Sequence, residues 1–217
     1  MFQLPRFDLR RDVPVLCLVL IGFQQLASAG YIEGKAHLAQ YLIASAWGDT
    51  LAAGGAPFKP WPWADTWPVA KLEVPRHSVA LYVLAGATGN TLAFGPGYEL
   101  ASAKLGEPGL SMIGGHRDTH FGFLADMKSN STFRLQLPSG EYIRYRVVDA
   151  RIVDVERDPL PAHKKGTQEL QLVTCYPFDA LFPGGPLRYV VMARPEKPVQ
   201  KTRGLVPQSI DHEVYRL

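Results

Sequence analysis

Cysteine is nearly absent from this chain: 217 residues contain two, Cys17 and Cys175. That scarcity excludes a small scaffold stapled by disulfides. Cys17 lies inside the apolar run from Val15 to Phe23, so if that run stays in lipid Cys175 has no partner for a structural bond. A lone thiol in an exported domain points to a working nucleophile, weighed against a small buried hydrophobe. Charge of one sign is also missing. The formal net charge is +3, and lysines and arginines are scattered rather than massed, which leaves nucleic acid without an electrostatic footprint. No glycine-rich phosphate loop follows a strand and no long helices separate the strands, which disfavours a doubly wound nucleotide fold and leaves no cofactor motif. No internal repeat is present. With 47% hydrophobic and 20% charged residues, the chain is globular rather than disordered.

Long apolar runs are limited to one. Val13 to Phe23 is preceded by Arg6, Arg10 and Arg11 and followed by Gln24 and Gln25. It is short for a bilayer span, which needs about 20 residues. Ala27-Ser28-Ala29 reads as a small-residue cleavage site, so a cleaved signal peptide and a retained signal anchor both fit. Either way the arginines hold their end in the cytoplasm and send the remainder across the membrane. The expected placement is a single pass in the inner (plasma) membrane with the folded part on the periplasmic, extracytoplasmic side.

Four segments follow from the composition. Residues 1–30 form the anchor or signal. Residues 31–68 hold a short amphipathic helix from Glu33 to Leu51, with Leu38, Tyr41, Leu42 and Ala46 at a helical period, stopped by Gly54 and Gly55. The stretch Pro57-Phe-Lys-Pro-Trp-Pro-Trp-Ala-Asp-Thr-Trp-Pro68 then forbids helix and central strand alike. Its three tryptophans argue for a strap packed on the domain surface, with an aromatic ligand platform as the alternative. Residues 69–195 form the main domain and 196–217 a polar tail.

The main domain is a series of short strands and turns. Val69 to Val74 and Ser78 to Leu84 are strands parted by Pro75, and Phe133 to Leu137 alternates apolar and polar. Pro138-Ser139-Gly140 turns that strand into a β-rich run from Glu141 to Val155, making a hairpin. Leu170 to Cys175 and Leu187 to Ala193 complete the set. The fold class is all-β, a barrel with short helical turns.

A thiol nucleophile needs a proton carrier and a donor for the oxyanion formed on attack. Six histidines are available. His116 has the most telling context, at the end of a short apolar strand closed by Gly114 and Gly115, which permit close backbone approach. Asp118 either orients its ring or caps the next turn, and His120 is the local competitor. In Leu170-Gln-Leu-Val-Thr-Cys175 the leucines share one face, so Cys175 points to the other, beside Gln171 and Val173. Arg188 comes 13 residues after the cysteine (188 − 175), so a hairpin return brings it alongside. An arginine is always charged and carries a rigid fork of donors; taken alone it reads as an exposed edge residue. A zinc site lacks a second cysteine to set the ligand spacing.

These motifs resemble the sortase family. Its cysteine motif, Thr-Leu-x-Thr-Cys, is similar to Gln171-Leu172-Val173-Thr174-Cys175, with Gln171 in place of the first threonine. Its histidine motif resembles Gly115-His116-Arg117-Asp118-Thr119-His120-Phe121, and its arginine opens the final strand, as does Arg188-Tyr189-Val190. Phe94-Gly-Pro-Gly and Gly140 to Val147 also match family positions. The likeness covers about Val69 to Pro195, in the order His, Cys, Arg. It implies an eight-stranded β-barrel behind a membrane helix, with Cys175 as nucleophile, His116 as general acid and base, and Arg188 holding substrate and stabilising the tetrahedral intermediate. It also implies a partner protein bearing an LPxTG-like sorting signal, an amine acceptor, and no cofactor. The apolar N-terminal run and the tryptophan strap resemble the proteobacterial (Gram-negative) branch, whose members are encoded with a dedicated substrate protein. Two other readings remain: an L,D-transpeptidase, and an exported β-barrel for binding or scaffolding. The first wants histidine and cysteine close together, whereas here they are 59 apart (175 − 116).

Overall fold

A computed structural model describes residues 9–158, 167–180, 182 and 184–197. Arg6, Pro183, His163, His212 and nearly all of the polar tail 196–217 lie outside the described residues.

The first element is one helix, α1 (Leu9–Ala52), of 44 residues. The expectation of an apolar segment followed by a separate short helix is therefore corrected: the helix runs unbroken through Gly30 and Gly34. A Cβ added at either glycine would have nothing within 4 Å, so the cost is the intrinsic one of about 1 kcal/mol each. Helix-favouring Ala, Leu, Gln, Glu and Lys around them offset it. Gly54 (φ 66°) and Gly55 (φ 102°) end the helix in left-handed conformation, their amides closing on Leu51 and Thr50 carbonyls at 3.2 and 2.8 Å, a glycine C-cap.

The first half of α1 is long and apolar enough to cross a membrane, and none of that apolar stretch is buried against the rest of the protein. Its second half docks on the barrel through Ala39, Ile43, Ala46, Trp47 and Thr50, a stripe at helical spacing. That stripe differs from the expected one: Leu38 and Tyr41 are 56% and 70% exposed. Ala39 and Ala46 are small enough to let the helix approach closely, and Ile43 and Trp47 fill the seam. The Gln40 amide donates to the Phe94 carbonyl at 2.7 Å and the Trp47 indole N–H to Gln136 Oε1 at 3.4 Å.

The strap after α1 does lie on the barrel. Thr66 Oγ1 donates to the Ala85 carbonyl at 2.7 Å, Ala85 N–H to the Trp67 carbonyl at 2.8 Å, and Trp61 meets Phe94 edge-on at 5.3 Å. Trp63, however, is 83% exposed, contrary to the expectation that all three indoles pack.

Eight strands follow: β1 (Pro68–Val74), β2 (Val79–Ala85), β3 (Gly97–Tyr98), β4 (Gly109–Gly114), β5 (Thr132–Gln136), β6 (Tyr142–Asp154), β7 (Gln168–Cys175) and β8 (Leu187–Pro195). They close into a barrel in the order β1-β2-β3-β4-β7-β8-β6-β5. Alternate residues point inward, so Leu72, Ile113, Phe133, Leu135, Tyr145, Leu170, Leu172 and Val191 fill the interior, as a barrel of this size requires. Two-residue β3 carries no periodic signal and escapes the sequence reading. Two neighbouring pairs are parallel, β2 with β3 and β4 with β7; the others are antiparallel. The β4–β7 pairing positions the site, because it brings the C-terminal ends of two distant strands to one rim.

Candidate active site

Cys175 is the last residue of β7 and is half-buried. Across the β7–β8 ladder it is paired directly with Arg188, the arrangement that puts two side chains on one face. On its other side β7 runs parallel to β4, the final registered pair being Gly114 with Val173. The Gly115 amide extends that ladder by donating to the Val173 carbonyl at 3.1 Å, and the Thr174 hydroxyl donates to the Gly115 carbonyl at 2.7 Å. His116 comes two residues after the end of β4, and Cys175 and Arg188 close the β7–β8 ladder at the same rim of the barrel.

Local structure explains the histidine's placement. A Cβ at Gly115 would lie 2.8 Å from the Phe121 ring, and that ring is wholly buried. The next turn closes with Phe121 N–H on the His116 carbonyl at 2.8 Å. Gly114, by contrast, faces open space. His116 is exposed, and the Asp118 carboxylate, also exposed, makes no hydrogen bond to its ring among the described residues. His120 is half-buried, and burial, followed by the charge of nearby His116, holds its imidazole below the ordinary histidine range.

The alternation along β7 is only partly as expected. Leu170, Leu172 and Thr174 are buried, yet Gln171 and Glu169 on the opposite face are buried too. Arg194 of β8 covers that face, its Nε and Nη2 donating to Glu169 Oε1 at 3.0 and 2.6 Å. On that face only Val173 and Cys175, toward the rim, keep partial exposure.

Arg188 is half-buried, and its Nη1 donates to the Gly185 and Leu187 carbonyls at 2.7 and 2.9 Å. Among the described residues Nε and Nη2 make no bond, so their donors can serve another acceptor. The β7–β8 connection carries an aromatic cluster beside the thiol, with Tyr176 and Phe178 against Tyr189 at 6.3 and 5.3 Å.

One residue escaped the sequence reading. Arg117 is buried, and its Nη2 donates to the Ala180 and Phe182 carbonyls at 2.8 and 3.0 Å. It therefore fastens the segment that follows Cys175 to the segment that carries His116. The signal was its place directly after His116 in the motif. Among the described residues no three His, Cys, Asp or Glu side chains gather where a metal would sit.

The closed eight-stranded barrel is shared with solved sortases. Sortase A from Corynebacterium diphtheriae superposes with a TM-score of 0.55 at 21% identity, covering 73% of this chain and 84% of that one. Sortase C-1 from Actinomyces oris gives 0.53 at 22% identity, covering 71% and 99%. At the level of sequence, the Sortase domain family model matches residues 72–196. The chain belongs to the sortase family, a family of cysteine transpeptidases. Sortase D of Bacillus subtilis (strain 168) is 31% identical over 123 residues, which is 57% of this chain and 61% of that relative's own length.

Proposed function

We propose that this chain is a membrane-tethered sortase that cuts an LPxTG-like, C-terminal sorting signal in a partner protein and transfers the acyl group to an amine. The direct pairing of Cys175 with Arg188 at the end of β7, with His116 two residues past the end of the parallel neighbour β4, supports the reading.

Cys175 attacks the scissile carbonyl carbon as a thiolate. The C–N bond breaks, His116 gives a proton to the departing amine, and a thioester remains on sulfur. The acceptor amine then attacks that thioester. His116 takes its proton back, the C–S bond breaks and a new amide forms. Arg188 stabilises both tetrahedral oxyanions with the donors of Nε and Nη2. Lacking a covalent role, it acts by charge and direction.

The apolar half of α1 anchors the enzyme in the inner membrane, and the arginines ahead of it keep the barrel on the periplasmic side. The same N-terminal run and the strap support a place in the proteobacterial branch, with a dedicated substrate protein.

With a fluorogenic sorting peptide, Cys175→Ala abolishes cleavage, and His116→Ala and Arg188→Ala lower it by a factor on the order of 10³ or more. Mass spectrometry of wild type, quenched during turnover, finds the acyl fragment on Cys175. Full turnover by Cys175→Ala would end the proposal.

A further inference from the structure

Beside the barrel, α1 and the strap form a cleft of about 530 Å³. Leu38, Ala39, Trp61, Trp63, Ala93 and Phe94 line it, with Lys35 at the helix side. Nothing in the barrel's chemistry uses it. Two of its lining side chains, Leu38 and Trp63, are left exposed by the fold.

We propose that this cleft and its rim are a membrane-surface docking face, which seats the barrel on the same bilayer that α1 crosses. The proposal rests on the anchoring reading given above and adds a second, peripheral contact to it.

Continuity is the first argument. From Val13 onward nearly every large apolar side chain of α1 is exposed, through Leu16, Leu20, Phe23 and Leu26 to Tyr31 and Ile32. A span of about 20 residues that begins at Val13 ends near Ile32. Ile32 itself lines the cleft, so the exposed apolar side chains of the helix reach the cleft's near end. At 1.5 Å per residue, Ile32 to Leu42 rises about 15 Å, and the headgroup layer takes up the first several ångströms of that climb. Ordinary helix tilt of about 20° lowers one flank further toward the surface.

Chemistry is the second argument. Trp and Tyr have an apolar body and a polar edge, and concentrate where membrane meets water. Tyr31, Trp61 and Trp63 supply that belt, and the Lys35 amine, 5.2 Å from the centre of the Tyr31 ring, sits where a long cationic side chain reaches lipid phosphate. A largely exposed indole beside an apolar cleft is costly in water and at home in that layer. The strap is held too firmly for Trp63 to retreat, because Thr66, Trp67 and Trp61 fix it to the barrel.

The test uses the full chain reconstituted in phosphatidylcholine–phosphatidylglycerol vesicles that carry nitroxide-labelled lipid. A label at the headgroup end of the acyl chain quenches tryptophan emission more than one at its tip. Trp63→Phe removes at least about half of that quenching, since an interfacial indole is the group in reach. Leu38→Glu reduces it as well, without moving the thermal unfolding midpoint. Two failures are separable. A chain stripped from the vesicles by alkaline carbonate lacks the anchor, and both readings fall. A chain that stays in the vesicles but shows the same weak quenching with and without Trp63 keeps its anchor and has no docking face; the cleft then serves a protein or nothing.

Discussion

The hydroxyl of Thr174 joins two strands at the point where the chemistry is proposed to occur, through its bond to the Gly115 carbonyl. Thr174→Val keeps the shape and leaves that carbonyl unsatisfied in a buried position, at a cost of about 1–3 kcal/mol. The expected result is that loss in denaturant unfolding, with a fall in kcat larger than any rise in KM, because His116 hangs from the same backbone. Gly115→Ala tests the same junction by overfilling it. Its methyl meets the immobile Phe121 ring, for a loss of roughly 1–3 kcal/mol. His120 reports on His116 from the side. His116 charge helps to hold His120 below the ordinary range, so His116→Ala moves the His120 midpoint upward in an NMR titration. The sign for stability follows: the unfolded chain protonates His120 first, so stability rises with pH across the window just below about 6.5. A His120 midpoint that stays put in His116→Ala would separate the two rings and with them the assumed location of His116.

At the scale of elements, the strands with two-residue alternation or long β-branched runs were legible. The sequence reading places β1, β2, β5, β6, β7 and β8 within a residue or two of their bounds, because burial on one face writes a period into the chain. Two-residue β3 has no room for a period. The continuity of α1 was hidden for the opposite reason: its two halves face different surroundings, so the pattern changes while the backbone does not. The strand-end positions of Cys175 and His116 and the hairpin return of Arg188 to Cys175 were legible from motif and strand spacing; Arg117 as a fastener was not, since a side chain reaching carbonyls more than sixty positions away leaves no local trace. That bond gives a prediction of its own. Arg117→Met frees the segment around Ala180 and Phe182, so limited proteolysis there speeds up, and kcat/KM falls by about tenfold to a hundredfold as the rim loses alignment. Arg117→Lys restores part of both, because its ammonium keeps the charge and donors but lacks the rigid guanidinium fork that reaches both carbonyls.

At the scale of the molecule, order along the chain and order around the barrel disagree. The last strand, β8, is wedged between β7 and β6 and pairs with both over most of its length. Without it those two have no ladder to share, and the sheet stays open along one seam. The thiol at position 175 would then lack the strand that carries Arg188 as well as one wall of its rim. A chain cut ahead of Leu187, whether by an arrested ribosome or by a protease, is thus an unzipped sheet, and under the proposed chemistry its sulfur has no charged partner. On that reading competence arrives with β8, all at once, and any shorter fragment is chemically idle.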